Sequence, residues 1–411
     1  MTRPRPKAEL EQRTGLTVRQ TSLSFEDVEY RMAFVIDCVA GGKNANGWVR
    51  ANRPSTGRKI MPSRPRRLAT AVGGILMTAF LCIAGSGVVR ADDRLLGMVE
   101  PVKAKKPYRI AYSSADMNAD FFLALAFGVI DEAKQAGVEV VRVLSAGGYG
   151  KVAEQVAQLE ELNTLKPDAV IIVSAAFDGF DKVVERLVAN GTKVIMVGTP
   201  ISSPKVSLAV MQNEAGLGKM EAEFICKEKP GAKVITLPGP PGSEWNKLRF
   251  EGFKEAAAKC KLNLVGNTYA GNVSIDEGQR QAGDWLLKNP DADYIYAVAG
   301  IFAVGAAQQA KRMNSHAKVV SGTMTRRTPD LIKDGSMAMV VSEPAVVFGR
   351  AGLQYTVRLL NGDPLPNLVT GIMPYPVALV PNHELTAQNI GQYDLGKYDL
   401  QPEGWKPPQL Q

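Results

Sequence analysis

Histidine is nearly missing from this chain: His316 and His383 are the only two in 411 residues. They stand far apart, and neither belongs to an H-E-x-x-H pair or a Cys/His cluster. That removes the common zinc-hydrolase arrangements and any histidine-assisted nucleophile built on a local motif. No G-x-S-x-G turn and no nucleotide-binding phosphate loop occurs; "SAGGYGK" has neither the spacing nor the hydroxyl after lysine that such a loop needs, so its glycines read as a tight turn. With no metal set and no activated nucleophile, the sequence predicts neither an enzyme nor a bound cofactor. Long apolar runs are scarce as well. The longest, Leu68 to Ile83, is about sixteen residues and is broken by Gly73-Gly74. A bilayer needs about 20, so a membrane-spanning helix is not expected.

What that run does resemble is the core of an export signal. Arg64, Arg66 and Arg67 precede it, and Val89-Arg90-Ala91 follows with small residues at the two positions a signal peptidase reads. Residues 61–91 are therefore expected to be a cleaved signal peptide, with Met61 as the initiator and 1–60 an unstructured extension or an over-long gene start. Leu81 before Cys82 argues against a lipoprotein. Charge follows the same division. Residues 1–91 hold 15 Lys+Arg and 6 Asp+Glu, whereas 92–411 hold 34 and 35. The basic excess sits in the part expected to be lost, so it carries no implication of nucleic-acid binding. The expected destination is the periplasm. Of the four cysteines, Cys226 and Cys260 survive into that oxidising compartment, near the ends of two predicted helices. Sequence leaves open whether they form a bridge or two separate thiols.

From Lys106 onward, short apolar runs alternate with longer amphipathic ones. "YRIAYS", "VEVVRVLS", "DAVIIVSA" and "TKVIMVG" read as strands apolar enough to be buried on both faces, and helical patterns separate them. The series then restarts with "AKVITLPGP", "LNLVGNTYA", "DYIYAVAG" and "AKVVSGTM". The prediction is an α/β protein of two doubly wound parallel-sheet lobes joined by a hinge, with a ligand cleft between them. Residues 106–209 with about 343–375 are expected in the first lobe, 210–342 with about 376–395 in the second, and 396–411 in a tail.

In such sheets ligands sit beyond the carboxyl ends of the strands, so the residues just after each strand are the candidates. After the first strand, "SSADMNADFF" offers Asp116, Asn118, Phe121 and Phe122. Asp120 reads as a helix cap. Consecutive helical positions point about 100° apart, so Phe121 and Phe122 cannot both face one core. Trp245 and Lys247 are expected at the mouth of the second lobe, with Gly300 and Thr323 behind them. Glu343 ends a strand so apolar that its carboxylate needs a partner, either a structural Lys or Arg or a cationic ligand.

The opening segment "SSADMNADFFLALAFGVIDEAKQAGVEV" and "RFEGFKEA" in the second half resemble the type I periplasmic binding proteins of the ribose-binding class, over about Lys106 to Pro381. The resemblance implies a two-lobed receptor for a small-molecule ligand. Sugar binders of that class carry Asp-Arg after the fourth strand, where this chain has Gly198-Thr199, and Asn-Asp where it has Ala299-Gly300. "SAGGYGKVAEQVAQLEEL", "LPGPPGS", "VAGIFAVGAA" and "VALVPNHELTAQNI" resemble the TorT-like branch, which senses trimethylamine N-oxide for a membrane kinase. Its aromatic pair matches Phe121 and Phe122; its other aromatic positions fall near Val210 and Thr323 here. The membrane partner implied is a sensor histidine kinase on that reading, or an ABC permease if the protein serves import.

Overall fold

The two hydrophobic series build two separate sheets. The structure, a computed structural model, describes residues 93–408, so the expected extension and signal peptide lie outside the described residues. The chain runs β1 (Arg109–Ser114), α1 (Asp120–Ala136), β2 (Glu139–Ser145), α2 (Val152–Leu165), β3 (Ala169–Val173), α3 (Asp181–Ala189), β4 (Lys193–Val197) and β5 (Leu208–Gln212). It then forms α4 (Glu214–Glu228), β6 (Lys233–Leu237), α5 (Glu244–Lys259), β7 (Asn263–Val265), α6 (Ile275–Lys288) and β8 (Tyr294–Ala297). The second lobe continues with α7 (Gly300–Arg312), β9 (Lys318–Gly322), α8 (Thr328–Lys333) and β10 (Met337–Ser342). The chain ends with α9 (Ala345–Asn361), β11 (Leu368–Val369), β12 (Val377–Val380), β13 (His383–Thr386) and α10 (Leu395–Tyr398).

One sheet has the order β11-β12-β5-β4-β3-β1-β2 and the other β13-β10-β9-β8-β6-β7. Both are parallel except where β11 and β13 join. Strand β3 (AVIIV) is buried at every position, as a strand covered by helices on both faces must be.

The lobe boundaries differ from the sequence expectation. β5 belongs to the first sheet through Gln212, so that lobe does not end at 209. β12 pairs in parallel with β5, Val377 opposite Ala209, so 376–380 also belong to the first lobe and not to the second. The physical reason is that Val377–Val380 is an apolar strand whose place is beside the otherwise open edge of β5. The chain therefore crosses between lobes after Gln212, after Ser342 and after Val380. The expected 396–411 tail is not a free end: Asp399, Leu400 and Gln401 are buried.

Helix packing in the second lobe depends on two glycines. A methyl group at Gly218 of α4 would stand 1.8 Å from the Arg249 carbonyl oxygen of α5, and one at Gly252 would stand 2.0 Å from that of Ala215. Only glycine allows the two backbones this close. The crossing places Glu214, at the start of α4, beside Arg249 in the middle of α5. At the far ends of the same helices Cys226 and Cys260 are bridged, with Cα atoms 5.6 Å apart and a separation of 34 positions in sequence.

Closing a loop of that length removes about 3–4 kcal/mol of conformational freedom from the unfolded chain. Changing both cysteines to serine is expected to destabilise the protein by that amount. The guanidinium unfolding midpoint of the variant against the oxidised wild type measures it.

Candidate functional site

Between the lobes lies a cavity of about 440 Å³, and nearly every residue that lines it follows a strand. From the first lobe come Asp116 after β1, Tyr149 after β2, and Gly198 and Thr199 after β4, with Asp120, Phe121 and Phe122 at the entry of α1. From the second come Glu214, Trp245, Arg249, Ala299, Gly300 and the Thr323–Arg327 loop, and Glu343 closes the floor.

Asp116 is held rigidly. Its Oδ1 accepts hydrogen bonds from the backbone amides of Met117 and Asn118 and from Asn118 Nδ2, at 2.7, 3.0 and 2.7 Å. Asn118 itself does not line the cavity; it orients the carboxylate that does, which corrects the expectation that it faces the ligand. Phe121 and Phe122 both line the cavity, edge to face at 5.4 Å, and Phe122 continues to Tyr149 at 5.5 Å. Asp120 makes no capping bond: the N-cap position is Ala119, and Asp120 lies 3.6 Å from Arg326 of the other lobe.

On the second lobe Trp245 faces the cavity and Lys247 does not. Residues two apart on a helix point roughly 200° apart, and Lys247 is exposed beside Glu244 at 3.5 Å. Arg249, one turn on from Trp245, shares its face, and its guanidinium lies over the indole at 5.1 Å. That i, i+4 relation was the available sequence signal for Arg249. The indole Nε1–H is buried without an acceptor among the described residues. Thr323 adopts φ 66°, a conformation that β-branched residues avoid. Its amide donates to the Val341 carbonyl at 3.0 Å and its hydroxyl donates to the Glu343 carboxylate. A side chain at Gly300 would stand 2.1 Å from the Thr323 carbonyl oxygen, so Gly300 is a glycine because the strained loop packs against it.

The floor is a buried ion cluster that the sequence did not reveal. Arg249 is only 1 % exposed. Its Nε and Nη2 donate to Glu214 Oε2 at 2.9 and 2.5 Å, its Nη1 donates to the Val298 carbonyl at 2.9 Å, and Nη2 lies 3.4 Å from Glu343 Oε1. The partner that Glu343 needed is thus a structural arginine. Burial pushes the Glu214 carboxyl up to about 7, the Glu343 charge adds to the shift, and Arg249 opposes it. Glu221, wholly buried and without a hydrogen-bond partner among the described residues, is pushed well above the carboxylate range by burial.

Two outcomes follow from this cluster. Arg249→Met leaves the carboxylates without their cation and is expected to cost about 3–5 kcal/mol in urea unfolding. Glu214 binds its proton more tightly when folded than when unfolded, so it contributes stability that is fully present below its unfolded pKa and is lost as pH rises toward about 7. Urea melts at pH 5 and pH 7.5 are expected to show a smaller loss in Glu214→Gln than in the wild type.

Comparison with known proteins places this geometry in context. The profile of the periplasmic binding protein domain matches residues 110–364. The periplasmic protein TorT of Escherichia coli K12 is 25 % identical over 311 residues, covering 75 % of this chain and 86 % of the relative. The ribose import binding protein RbsB of Bacillus subtilis is 26 % identical over 267 residues, covering 65 % and 86 %. A solved structure of the substrate-binding protein of a sugar ABC transport system from Bordetella parapertussis is 36 % identical, with a TM-score of 0.74, covering 76 % of this chain and all of that one.

Proposed function

We propose, on the premise that this chain belongs to the periplasmic binding protein family and is a periplasmic solute-binding protein rather than an enzyme, that it closes on a small dipolar solute. The class meant is a methylated amine oxide or a betaine-like zwitterion, presented in the closed form to a membrane sensor kinase. The observation that carries this reading is the charge balance of a cleft walled by aromatic rings. Asp116, Asp120, Glu214 and Glu343 face Arg249, Arg326 and Arg327, so the walls favour no strongly charged ligand. Glu343, the carboxylate best placed to hold a cation, is already engaged by Arg249 and Thr323. Ring faces at Phe121, Phe122, Tyr149 and Trp245 attract the onium end of a dipole. Arg326 and Arg327, in the same lining, attract its oxygen end. Gly198-Thr199 and Ala299-Gly300 leave few polar hooks for a ring of hydroxyls.

A second reading is the substrate-binding component of an ABC importer for a sugar. It is favoured by the 36 % identity to the Bordetella protein described in those terms. Lobe closure over the ligand serves both readings, because each partner reads the closed outer surface.

Titration calorimetry with trimethylamine N-oxide, glycine betaine, choline and D-ribose separates them. The dipolar pair is expected to bind more tightly than choline, and ribose to give no heat. Trp245→Leu is expected to weaken the dipolar ligand by about 1–2 kcal/mol. Ribose binding without any response to the amines overturns the first reading in favour of the second.

A further inference from the structure

The segment after β13 does not end on the lobe where it begins. β13 pairs with β10 in the second sheet, and Tyr393 and Leu395 pack on that lobe's core. Tyr398 and Trp405 pack on the core of the first lobe, with Trp405 edge to face on Phe127 at 5.4 Å. Between these anchorages lies Asp399, 2 % exposed. Its Oδ1 accepts from the Ser342 hydroxyl at 2.8 Å and its Oδ2 from the Tyr393 hydroxyl at 2.6 Å. Ser342 is the last residue of β10, where the chain crosses back to the first lobe. Arg350 of α9 donates to the Lys397 carbonyl at 3.2 Å.

Two residues beyond Asp399, the segment reaches residues that line the cleft. The Gln401 carbonyl accepts from Arg326 Nη2 at 2.8 Å, and Gln401 Nε2 lies 3.5 Å from Asp120 Oδ1. Arg326 belongs to the second lobe and Asp120 to the first; both line the cavity, and they stand 3.6 Å apart. Groups from both lobes and from the C-terminal segment therefore meet at one point.

We propose that residues 399–408 form a strap, a fourth connection between the lobes. Gln401 is a positioning residue that holds Arg326 against Asp120 across the cleft, and the seat of Trp405 on Phe127 limits how far the lobes part. Without the strap Arg326 keeps only a half-exposed ion pair across the gap, a contact of small worth. The strap adjoins the second of the three other crossings through the bond from Ser342 to Asp399, and reaches the cleft lining through the contact of Gln401 with Arg326. The inference does not depend on which solute binds.

The test needs no ligand. Spin labels at Lys182 of α3 and Leu287 of α6, both exposed, report the distance between lobes in the full chain with Cys38 and Cys82 changed to serine. Truncation after Leu400, which keeps Asp399, and the point variant Trp405→Ala are each expected to lengthen and broaden that distance distribution. Arg326→Gln is expected to do the same, and to add nothing when combined with the truncation, because both remove one coupled contact. Distributions that superimpose on the wild type in both the truncation and Trp405→Ala overturn the proposal. Additive broadening in the double variant overturns the role given to Gln401. Should the truncated chain not fold, Trp405→Ala and Arg326→Gln decide the matter alone, with a single cooperative urea transition confirming that each is folded.

Discussion

A guanidinium with almost no access to water is the constraint on which the cleft is built. Arg249 has given up its hydration, and an uncompensated buried charge of that kind costs several kcal/mol. Its compensation comes from two carboxylates that stand at crossing points of the chain. Glu214 follows the first passage between lobes and Glu343 follows the second. One side chain in the middle of a helix thus ties both hinge segments to the second lobe. The tie is available only because Gly218 and Gly252 let α4 and α5 touch backbone to backbone. A wider helix crossing would carry Glu214 out of reach of the guanidinium.

The rest of the wall has a different character. Asp116, Tyr149, Ala299 and Thr323 lie in strand-to-helix connections, Thr199 in the connection from β4 to β5 and Trp245 in the first turn of α5, all beyond the regular sheet. Ala299 and Trp245 also pack on the core of the second lobe, but the cores are filled chiefly by strand residues and by the inner faces of the helices. A cleft made this way moves with its lobes. Rotation about the three crossings opens the space without breaking a strand ladder, because among the described residues no ladder runs from one sheet into the other.

How much of this was legible in sequence follows from the range over which each feature is encoded. Alternating apolar and amphipathic runs are local, so the two parallel-sheet lobes could be read directly, and with them the rule that sites follow strands. β5 was missed because "SLAVMQ" runs straight into the amphipathic pattern of α4 and the two merge into one apparent helix. β12 was placed on the wrong lobe because its partner, β5, is far away in sequence. Lys247 was expected at the cleft and Arg249 was not, because proximity to the strand end is read locally, whereas helical phase decides which side chain turns inward. The partner of Glu343 lies 94 residues away, and no pattern within a segment announces it. The need for a partner was readable, from the apolar run before it; the partner's identity was a tertiary fact.

These differences in range bear on how such a cleft changes its ligand. Positions such as Thr199 and Ala299 sit beyond the strands and outside the Arg249 cluster, so polar hooks can be exchanged there without disturbing it, whereas Gly198 is held to glycine by a φ of 72°. Arg249 has no such freedom, since replacing it leaves the buried Glu214 and Glu343 beside one another without a cation between them. Gly300 and Thr323 are bound as a pair, the first small because the second is strained against it. Specificity is therefore expected to vary around a fixed floor. A relative that kept the Arg249 cluster while exchanging the residues after β4 and β8 would hold the same lobes in the same way and grip a different solute.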